Sequence, residues 1–298
     1  MKETQRLAEW LAAHRSEAIP EQIVHEAKRA LLNYVAAALG GCRHEAVEIA
    51  VKTVLPLSGP PSASLIGRAE KLDPLHATLI NGISSHVDDF DDTLPKNYIH
   101  ATSAVASALC AYVSTTPVTG RDFLQAFVLG FDVTSRVGNV VTPWHYDAGW
   151  HLTSTASVFG AAAAIGKLRA LPVRNLVWAL GNAGTQAAGV RETFGSMAKA
   201  MHPGRAGQNG YFSVLLAENG FTGSEPPSKA LAALPSCSRP AATCRACATS
   251  WASATNCSTT PTSPFRRASS SSQQLTPASR FTASISLIRQ RSWLSTSR

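Results

Sequence analysis

Acidic residues are missing from the last part of the chain, and this absence changes the meaning of its overall charge. The 298-residue chain has a formal net charge of +8, which alone would suggest nucleic acid or an acidic membrane as a partner. Glu225 is the last acidic residue, and the residues after it carry nine positive charges, so the first 225 residues carry 8 − 9 = −1. The near-neutral main part of the chain therefore predicts neither nucleic-acid binding nor attachment to a membrane.

Long apolar runs and cysteines are also scarce in the first 225 residues. No stretch is long and apolar enough to cross a bilayer, and the polar start lacks the apolar segment of a secretory signal. Only Cys42 and Cys110 occur before Glu225, which is typical of a protein of the reducing cytoplasm. Cys244 and Cys247 have the spacing of half a zinc ribbon, but a second pair is missing, so we expect no metal site.

Strand-type alternation is absent before residue 225, whereas helix signals recur. Asp73-Pro74 has the N-cap and first-position residues of a helix, and Gly40-Gly41 is a helix end. Apolar periodicity predicts helices over 20–41, from 74, and over 103–113, 120–137, 153–168, 173–181 and 204–219. The sequence therefore predicts an all-α bundle domain over residues 1–228. Residues 229–298 form a low-complexity segment of Ser, Thr, Ala and Arg that does not resemble an independent domain.

The strongest candidate for chemistry is the run from His86 to Thr93, which is followed by His100. Four carboxylates lie within five positions of this run. An acidic run is usually a solvated helix end or loop. Here it follows the apolar segment 79–83 and contains Phe90, so part of it should be buried. Buried carboxylates paired with histidine are candidates for acid–base catalysis.

Two further clusters combine histidine with small or cationic residues. His145 and His151 precede a helix rich in alanine and glycine, where a histidine is more often an ordinary core residue than a catalyst. Lys199, His202 and Arg205 lie around the predicted start of the helix at Gly204. Cations beside the free N–H groups of a helix start can bind carboxylates, although an exposed basic loop would have the same sequence.

Together these clusters resemble the MmgE/PrpD family, which includes 2-methylcitrate dehydratase, cis-aconitate decarboxylase and an iminodisuccinate epimerase. The resemblance covers residues 1–228, with every motif in order. Asn33 and Ala101 depart from it, since the family often has Asp and Pro there. The matching motifs are Asn81-Gly82, His86, Asp89-Phe-Asp-Asp-Thr93, His100, Gly149-Trp-His151-Leu-Thr153, Ala179-Leu-Gly-Asn-Ala-Gly-Thr-Gln186 and Lys199-Ala-Met-His202.

The resemblance implies an enzyme that acts on a small polycarboxylate without a metal or an organic cofactor. The reaction would be dehydration, decarboxylation or epimerisation, by proton transfer next to a carboxylate, and the helical domain would form a homodimer. Which group is the base and which the acid stays open. The resemblance implies catalytic roles for Asp89, His100, His151 and Lys199, and substrate binding by His86, Thr93 and His202.

The family site also takes a lysine and a histidine from an α+β lid domain, which is not recognisable here. We therefore expect that this chain has half of the site and is impaired as it stands. Two explanations of residues 229–298 remain open. One is a disordered tail, and the other is an altered reading frame. Codons for Asn256–Phe265, read one base earlier, permit a string ending in Lys-Pro-Phe, which resembles the lid segment that carries the lysine.

Two other functions fit parts of the sequence. The run Asp88-Asp89-Phe-Asp-Asp92 has the pattern with which all-α prenyl and terpene synthases hold magnesium, but their second acidic motif is missing. A non-catalytic helical interaction module with a basic tail is the other alternative, and its binding to acidic surfaces would weaken steeply with salt.

Overall fold

The computed structural model describes residues 3–223, so the predictions for residues 229–298 lie outside it. The described residues form ten α-helices, three short 3-10 helices and one pair of two-residue antiparallel strands, β1 (Ala63–Ser64) and β2 (Lys71–Leu72). The helices are α1 (Glu3–Ala13), α2 (Glu21–Gly41), α3 (Glu45–Val54), α4 (Pro74–His86), α5 (Ala101–Val113), α6 (Gly120–Val141), α7 (Trp144–Asp147), α8 (Leu152–Leu168), α9 (Val173–Gly184) and α10 (Met197–Glu218). The all-α prediction is confirmed, and the strand pair is too short to produce a sequence alternation.

The helix that leads into the acidic run starts as its sequence predicts. Asp73 is the N-cap of α4, and its Oδ1 accepts hydrogen bonds from the backbone N–H groups of Leu75 at 2.9 Å and His76 at 3.1 Å. Pro74 occupies the first helical position, where a missing N–H is harmless. The cap fixes the start of α4, and its last residue, His86, lies 13 residues into the helix.

Helices α5 and α8 form the centre of the core because small residues let their neighbours approach closely. Every residue from Leu152 to Gly166 of α8 is buried. An added Cβ on Gly130 of α6 would lie 2.7 Å from the carbonyl oxygen of Gly160 in α8. Such backbone proximity excludes larger side chains, and it packs the middle of α8 closely against α6.

Helices α4 and α10 cross at two glycines, and this crossing brings the end of α4 to the first turns of α10. An added Cβ on Gly82 would lie 2.3 Å from the Cα of Gly204. The prediction that α10 begins at Gly204 is wrong, because the helix already begins at Met197 and contains Pro203. Lys199 is therefore a helical residue of the first turn rather than part of a preceding loop. Among the described residues, no helix combines the length and apolar character needed to cross a membrane.

Candidate active site

The acidic run forms an ordered loop between α4 and α5. Asn33 of α2 fixes it from both sides: its Nδ2 donates to the carbonyl oxygen of Phe90 at 3.2 Å, and its Oδ1 accepts from the N–H of Asp92 at 3.0 Å. Asp91 and Asp92 are buried, whereas Asp88 and Asp89 are exposed. The solvated-loop interpretation therefore fails for half of the run, and two carboxylates of this loop belong to the protein interior.

Asp91 is the centre of a buried network of two histidines and a serine. The Nδ1 of His86 lies 2.9 and 3.0 Å from its two carboxylate oxygens, and the Nδ1 of His100 lies 3.1 Å from one of them. The hydroxyl of Ser103 donates to the other oxygen. Burial alone would raise the pKa of Asp91, but the neighbouring His100 and His86 outweigh burial and hold this pKa well below its usual value. Asp91 is therefore a carboxylate.

The same ion pair sets the charge of His100. Burial alone would lower the pKa of His100, but the charge and the hydrogen bond of Asp91 raise it above the usual histidine value. The Oγ1 of Thr93 lies 3.4 Å from the Nδ1 of His100, and the backbone N–H of His100 donates to Thr153 Oγ1 at 3.1 Å. Asp91 therefore favours the charged form of an imidazole that is held by the starts of α5 and α8.

Asp89 and Lys199 form the exposed edge of the site. The ammonium of Lys199 lies 2.5 Å from Asp89 Oδ1, and this oxygen lies 3.6 Å from the Nε2 of His100. Asp89 has a left-handed backbone, with φ of 59°, a conformation that aspartate tolerates better than most residues. This turn directs Asp89 towards α10, away from the buried Asp91.

Asp92 differs from both neighbouring carboxylates. Thr102 donates a hydrogen bond to its Oδ2 at 2.8 Å, and its Oδ1 is buried without a hydrogen-bond partner. Burial, together with the nearby charge of Asp91, raises the pKa of Asp92 to about 7 despite the hydrogen bond from Thr102. Two adjacent carboxyl groups thus have opposite pKa shifts, which is a feature of sites that move protons.

His151 and His202 form a second pair on the other side of His86. Their Nδ1 atoms are 2.7 Å apart, and their ring centroids are 5.0 Å apart. Burial, and secondarily the charge of His202, lowers the pKa of His151 to about 2, and burial lowers the pKa of His202 to about 4. His151 also stacks on His86, with centroids 6.1 Å apart, and contacts Phe194 at 4.9 Å. At neutral pH these two imidazoles are uncharged.

Three helix starts meet at this cluster. His100 is the N-cap of α5, His151 is the N-cap of α8, and Lys199 lies in the first turn of α10. The start of a helix carries partial positive charge and N–H groups without helical partners. Together with Lys199 and with His100, whose charged form Asp91 favours, the three starts make a region that favours an anion with more than one negative group.

The four side chains His86, Asp89, Asp91 and His100 also have potential metal-ligand atoms within 4.8 Å of one another. The two histidines and two carboxylates already pair with one another. The ammonium of Lys199 also pairs with Asp89 and would repel a cation. Asp91 and Asp92 are buried against histidines and a threonine, so the acidic run does not present the shared carboxylate face that a diphosphate-bound magnesium requires. The donor set fits an ion-pair cluster better than a metal site.

The structure brings together all seven predicted site residues, and it adds residues that the sequence did not indicate. Asp91 was missed as the centre of the network, although its place in the acidic run was the one available signal. Asn33 was noted only as a departure from the family pattern, and Thr193 and Phe194 were not noted at all.

A separate cavity of about 540 Å³ is lined by Lys167. The ammonium of Lys167 already donates to three backbone carbonyls near the end of α1, so we do not place the site there.

Comparisons with known proteins agree with the motifs. Residues 5–233 match the sequence model of the MmgE/PrpD N-terminal domain. The chain is 28% identical over 225 residues to a cis-aconitate decarboxylase of Aspergillus terreus, covering 73% of this chain and 46% of that protein. It is 31% identical over 236 residues to a cis-aconitate decarboxylase-like protein of Aspergillus oryzae, covering 74% and 48%. For the human cis-aconitate decarboxylase the identity is 27% over 213 residues, covering 70% and 44%.

The chain thus spans about half the length of the curated relatives it matches. The matched part contains the whole histidine and carboxylate cluster described above. On the family match and the ordered motifs, this chain belongs to the MmgE/PrpD family.

Proposed function

We propose that the domain supplies one half of the active site of a lyase or isomerase that acts on a small polycarboxylate. The observation that carries the proposal is the meeting of three helix starts with Lys199 and with His100, whose charged form Asp91 stabilises. The Nε2 of His86 adds a buried nitrogen with no hydrogen-bond partner at the same place. A substrate carboxylate or hydroxyl would satisfy this atom.

The charges of the site suit proton transfer at a carbon next to a carboxylate. Loss of that proton places negative charge on the carboxylate, and the cations of His100 and Lys199 would stabilise this charge where it develops. His151 is uncharged in the protein without substrate, and the carboxylates of a bound substrate would raise its pKa from about 2 so that it could accept a proton, while Asp91 favours the charged form of His100. We therefore assign the base to His151 and the electrostatic role to His100, with Asp89 positioning Lys199.

The names of the relatives favour cis-aconitate as the first compound to test, with loss of carbon dioxide as the reaction. In that reaction the bond from carbon to the carboxylate breaks and carbon takes up a proton, so a protonated group of the site must supply the proton, whereas in dehydration or epimerisation His151 would remove one. Because the chain covers about half of those proteins, a low turnover would not separate a wrong substrate from a missing second half. Binding is the sharper test. We expect the 298-residue protein to bind cis-aconitate or citrate more tightly than a monocarboxylate of similar size, as measured by calorimetry.

Replacement of Lys199 by methionine keeps the length of the side chain and removes its charge. A hydrogen bond to a charged group contributes about 1.5–3 kcal/mol, so Lys199→Met should weaken binding roughly 10- to 100-fold. Lys52→Met is the matched control, because Lys52 is an exposed residue of α3. Equal affinity for mono- and polycarboxylates, or an equal loss in both variants, would contradict the proposal.

We also propose that the domain forms a homodimer in a reducing compartment such as the cytoplasm. Leu32, Val35 and Leu39 form an exposed apolar stripe on α2, with exposed fractions of 70%, 38% and 50%, and such stripes often mark interfaces. Cys42 and Cys110 are both free. Light scattering after chromatography should give a dimer that Leu32→Glu disrupts and that Leu57→Glu, at an exposed residue outside the stripe, leaves intact.

A further inference from the structure

The contact between His151 and His202 requires a defined arrangement of protons. Their Nδ1 atoms are 2.7 Å apart, and the two residues are only 2% and 6% exposed. At this distance one nitrogen must carry a hydrogen and the other must offer a lone pair, because two N–H groups or two lone pairs would repel each other. The remaining question is which ring is the donor, and the surrounding hydrogen bonds answer it.

Thr193 determines the direction of the chain of hydrogen bonds. Its hydroxyl donates to the carbonyl oxygen of Val190 at 2.8 Å. A hydroxyl has one hydrogen, so the 3.5 Å contact between Thr193 Oγ1 and the Nε2 of His202 is a hydrogen bond only when that nitrogen carries the hydrogen. A neutral imidazole that carries its hydrogen on Nε2 has a lone pair on Nδ1. His202 is therefore the acceptor in its contact with His151.

We propose that Thr193 and His202 are positioning residues that hold His151 in the tautomer with its hydrogen on Nδ1, which leaves Nε2 as the basic atom. The order of donation runs from His151 Nδ1–H to His202 Nδ1, from His202 Nε2–H to Thr193 Oγ1, and from the Thr193 hydroxyl to Val190. If His151 is the base of the proposed function, this order names Nε2 as the atom that accepts the proton.

The backbone around the pair keeps the two rings in this contact. The N–H of His151 donates to the carbonyl oxygen of Gly189 at 3.0 Å. Gly189 has φ of +115°, and an added Cβ there would lie 2.6 Å from Ser154 Cβ and 3.3 Å from His202 Cδ2. Phe194 packs its edge against the His151 ring. The low pKa values of both histidines agree with two neutral rings.

The catalytic meaning of this arrangement rests on the proposed function, but the tautomers themselves do not. They can be measured in the protein without substrate, from the ¹⁵N signals of its histidine side chains at neutral pH. The signals of the two rings are assigned by their loss in His151→Gln and His202→Gln. We expect a protonated Nδ1 in His151 and a protonated Nε2 in His202.

Four substitutions separate positioning from a general structural effect. Thr193→Val removes the acceptor and should shift His151 to a mixture of tautomers, whereas Thr193→Ser should restore the single tautomer. Thr115→Val is the matched control, because Thr115 makes the same hydroxyl bond to the carbonyl three residues earlier, at 3.0 Å, without a histidine partner. His202→Asn retains an acceptor near the position of Nδ1 and should preserve the Nδ1 hydrogen of His151.

A protonated Nε2 in His151, or unchanged tautomers in Thr193→Val, would overturn the assignment. Either result would leave the preference of the protein for polycarboxylates untouched. Conversely, the expected tautomers in a protein that binds no polycarboxylate would retain the assignment and remove only the proposed function.

Discussion

Replacement of Asp91 by asparagine tests whether the buried carboxylate holds His100 in its charged form. Asp91 is 4% exposed and accepts hydrogen bonds from two histidines and Ser103. Removal of one partner from a buried ion pair leaves the other charge uncompensated and typically costs about 3–5 kcal/mol. We expect Asp91→Asn to lower the free energy of unfolding by a value in this range at pH 7, as measured by urea denaturation.

The pKa of His100 supplies a second, independent measurement. With Asp91 present its folded pKa is raised, so its stabilising effect is complete below the unfolded value of about 6.5 and is lost as pH rises through the folded pKa. In Asp91→Asn, burial should bring the pKa of His100 below 6.5, so stability should no longer fall as pH rises above 6.5.

Asp88→Asn is the matched control for both measurements. Asp88 lies in the same loop and is exposed, and exposed substitutions usually change stability by less than about 0.5 kcal/mol. An Asp91→Asn protein as stable as Asp88→Asn, with the His100 titration unmoved, would refute the ion-pair argument.

Three further predictions concern the parts that surround this pair. Gly82→Ala should lower the unfolding free energy by about 1–3 kcal/mol, because its Cβ would meet the backbone of α10. Gly40→Ala, in a helix position with open space, should instead be neutral or stabilising in the same urea assay. As pH falls from 6.5 towards 4, His151 and His202 become protonated in the unfolded chain but stay neutral in the folded protein, because their folded pKa values are lowered. Stability should therefore fall by up to about 1.4 kcal/mol per pH unit for each of them, and a His202→Asn protein with the same slope would contradict this. Asn33→Asp removes the amide hydrogen bond to the acidic loop and adds a fifth carboxylate beside it, so we expect a loss of about 1–3 kcal/mol, whereas an unchanged urea midpoint would show that Asn33 does not hold the loop.

The sequence predicted those parts of the fold that depend on residues close to one another along the chain. The cap at Asp73 and the small-residue helices α5 and α8 follow from local rules, and the structure contains them. The start of α10 was misplaced because Pro203 and Gly204 normally end or begin a helix. Here the helix passes through both, and the glycine permits the close crossing with α4. Sequence rules weigh a proline by its local effect and take no account of such a crossing.

The site was predicted as a set of residues but not as a network. His86, His100, His151 and Lys199 were recognisable from the ordered motifs, whereas the choice of partner within the acidic run was not. Asp89 and Asp91 are two positions apart, yet Asp89 reaches the half-buried Lys199 and Asp91 reaches two buried histidines. The left-handed turn at Asp89 separates them, and a run of similar acids gives no signal of which member adopts it.

The distribution of charge within the cluster explains how closely packed histidines can differ in function. One carboxylate, Asp91, lies between His86 and His100 and favours the charged form of His100, while no carboxylate contacts the pair of His151 and His202 in the part of the chain that the structure describes. In the proposed function, the first pair would bind negative charge and the second would accept a proton. The two functions lie on opposite sides of His86, whose free Nε2 is buried between them. A substrate that extends across His86 would place one carboxylate near Lys199 and His100 and the adjacent carbon near His151, and this requirement favours a ligand with carboxylates separated by a short carbon chain.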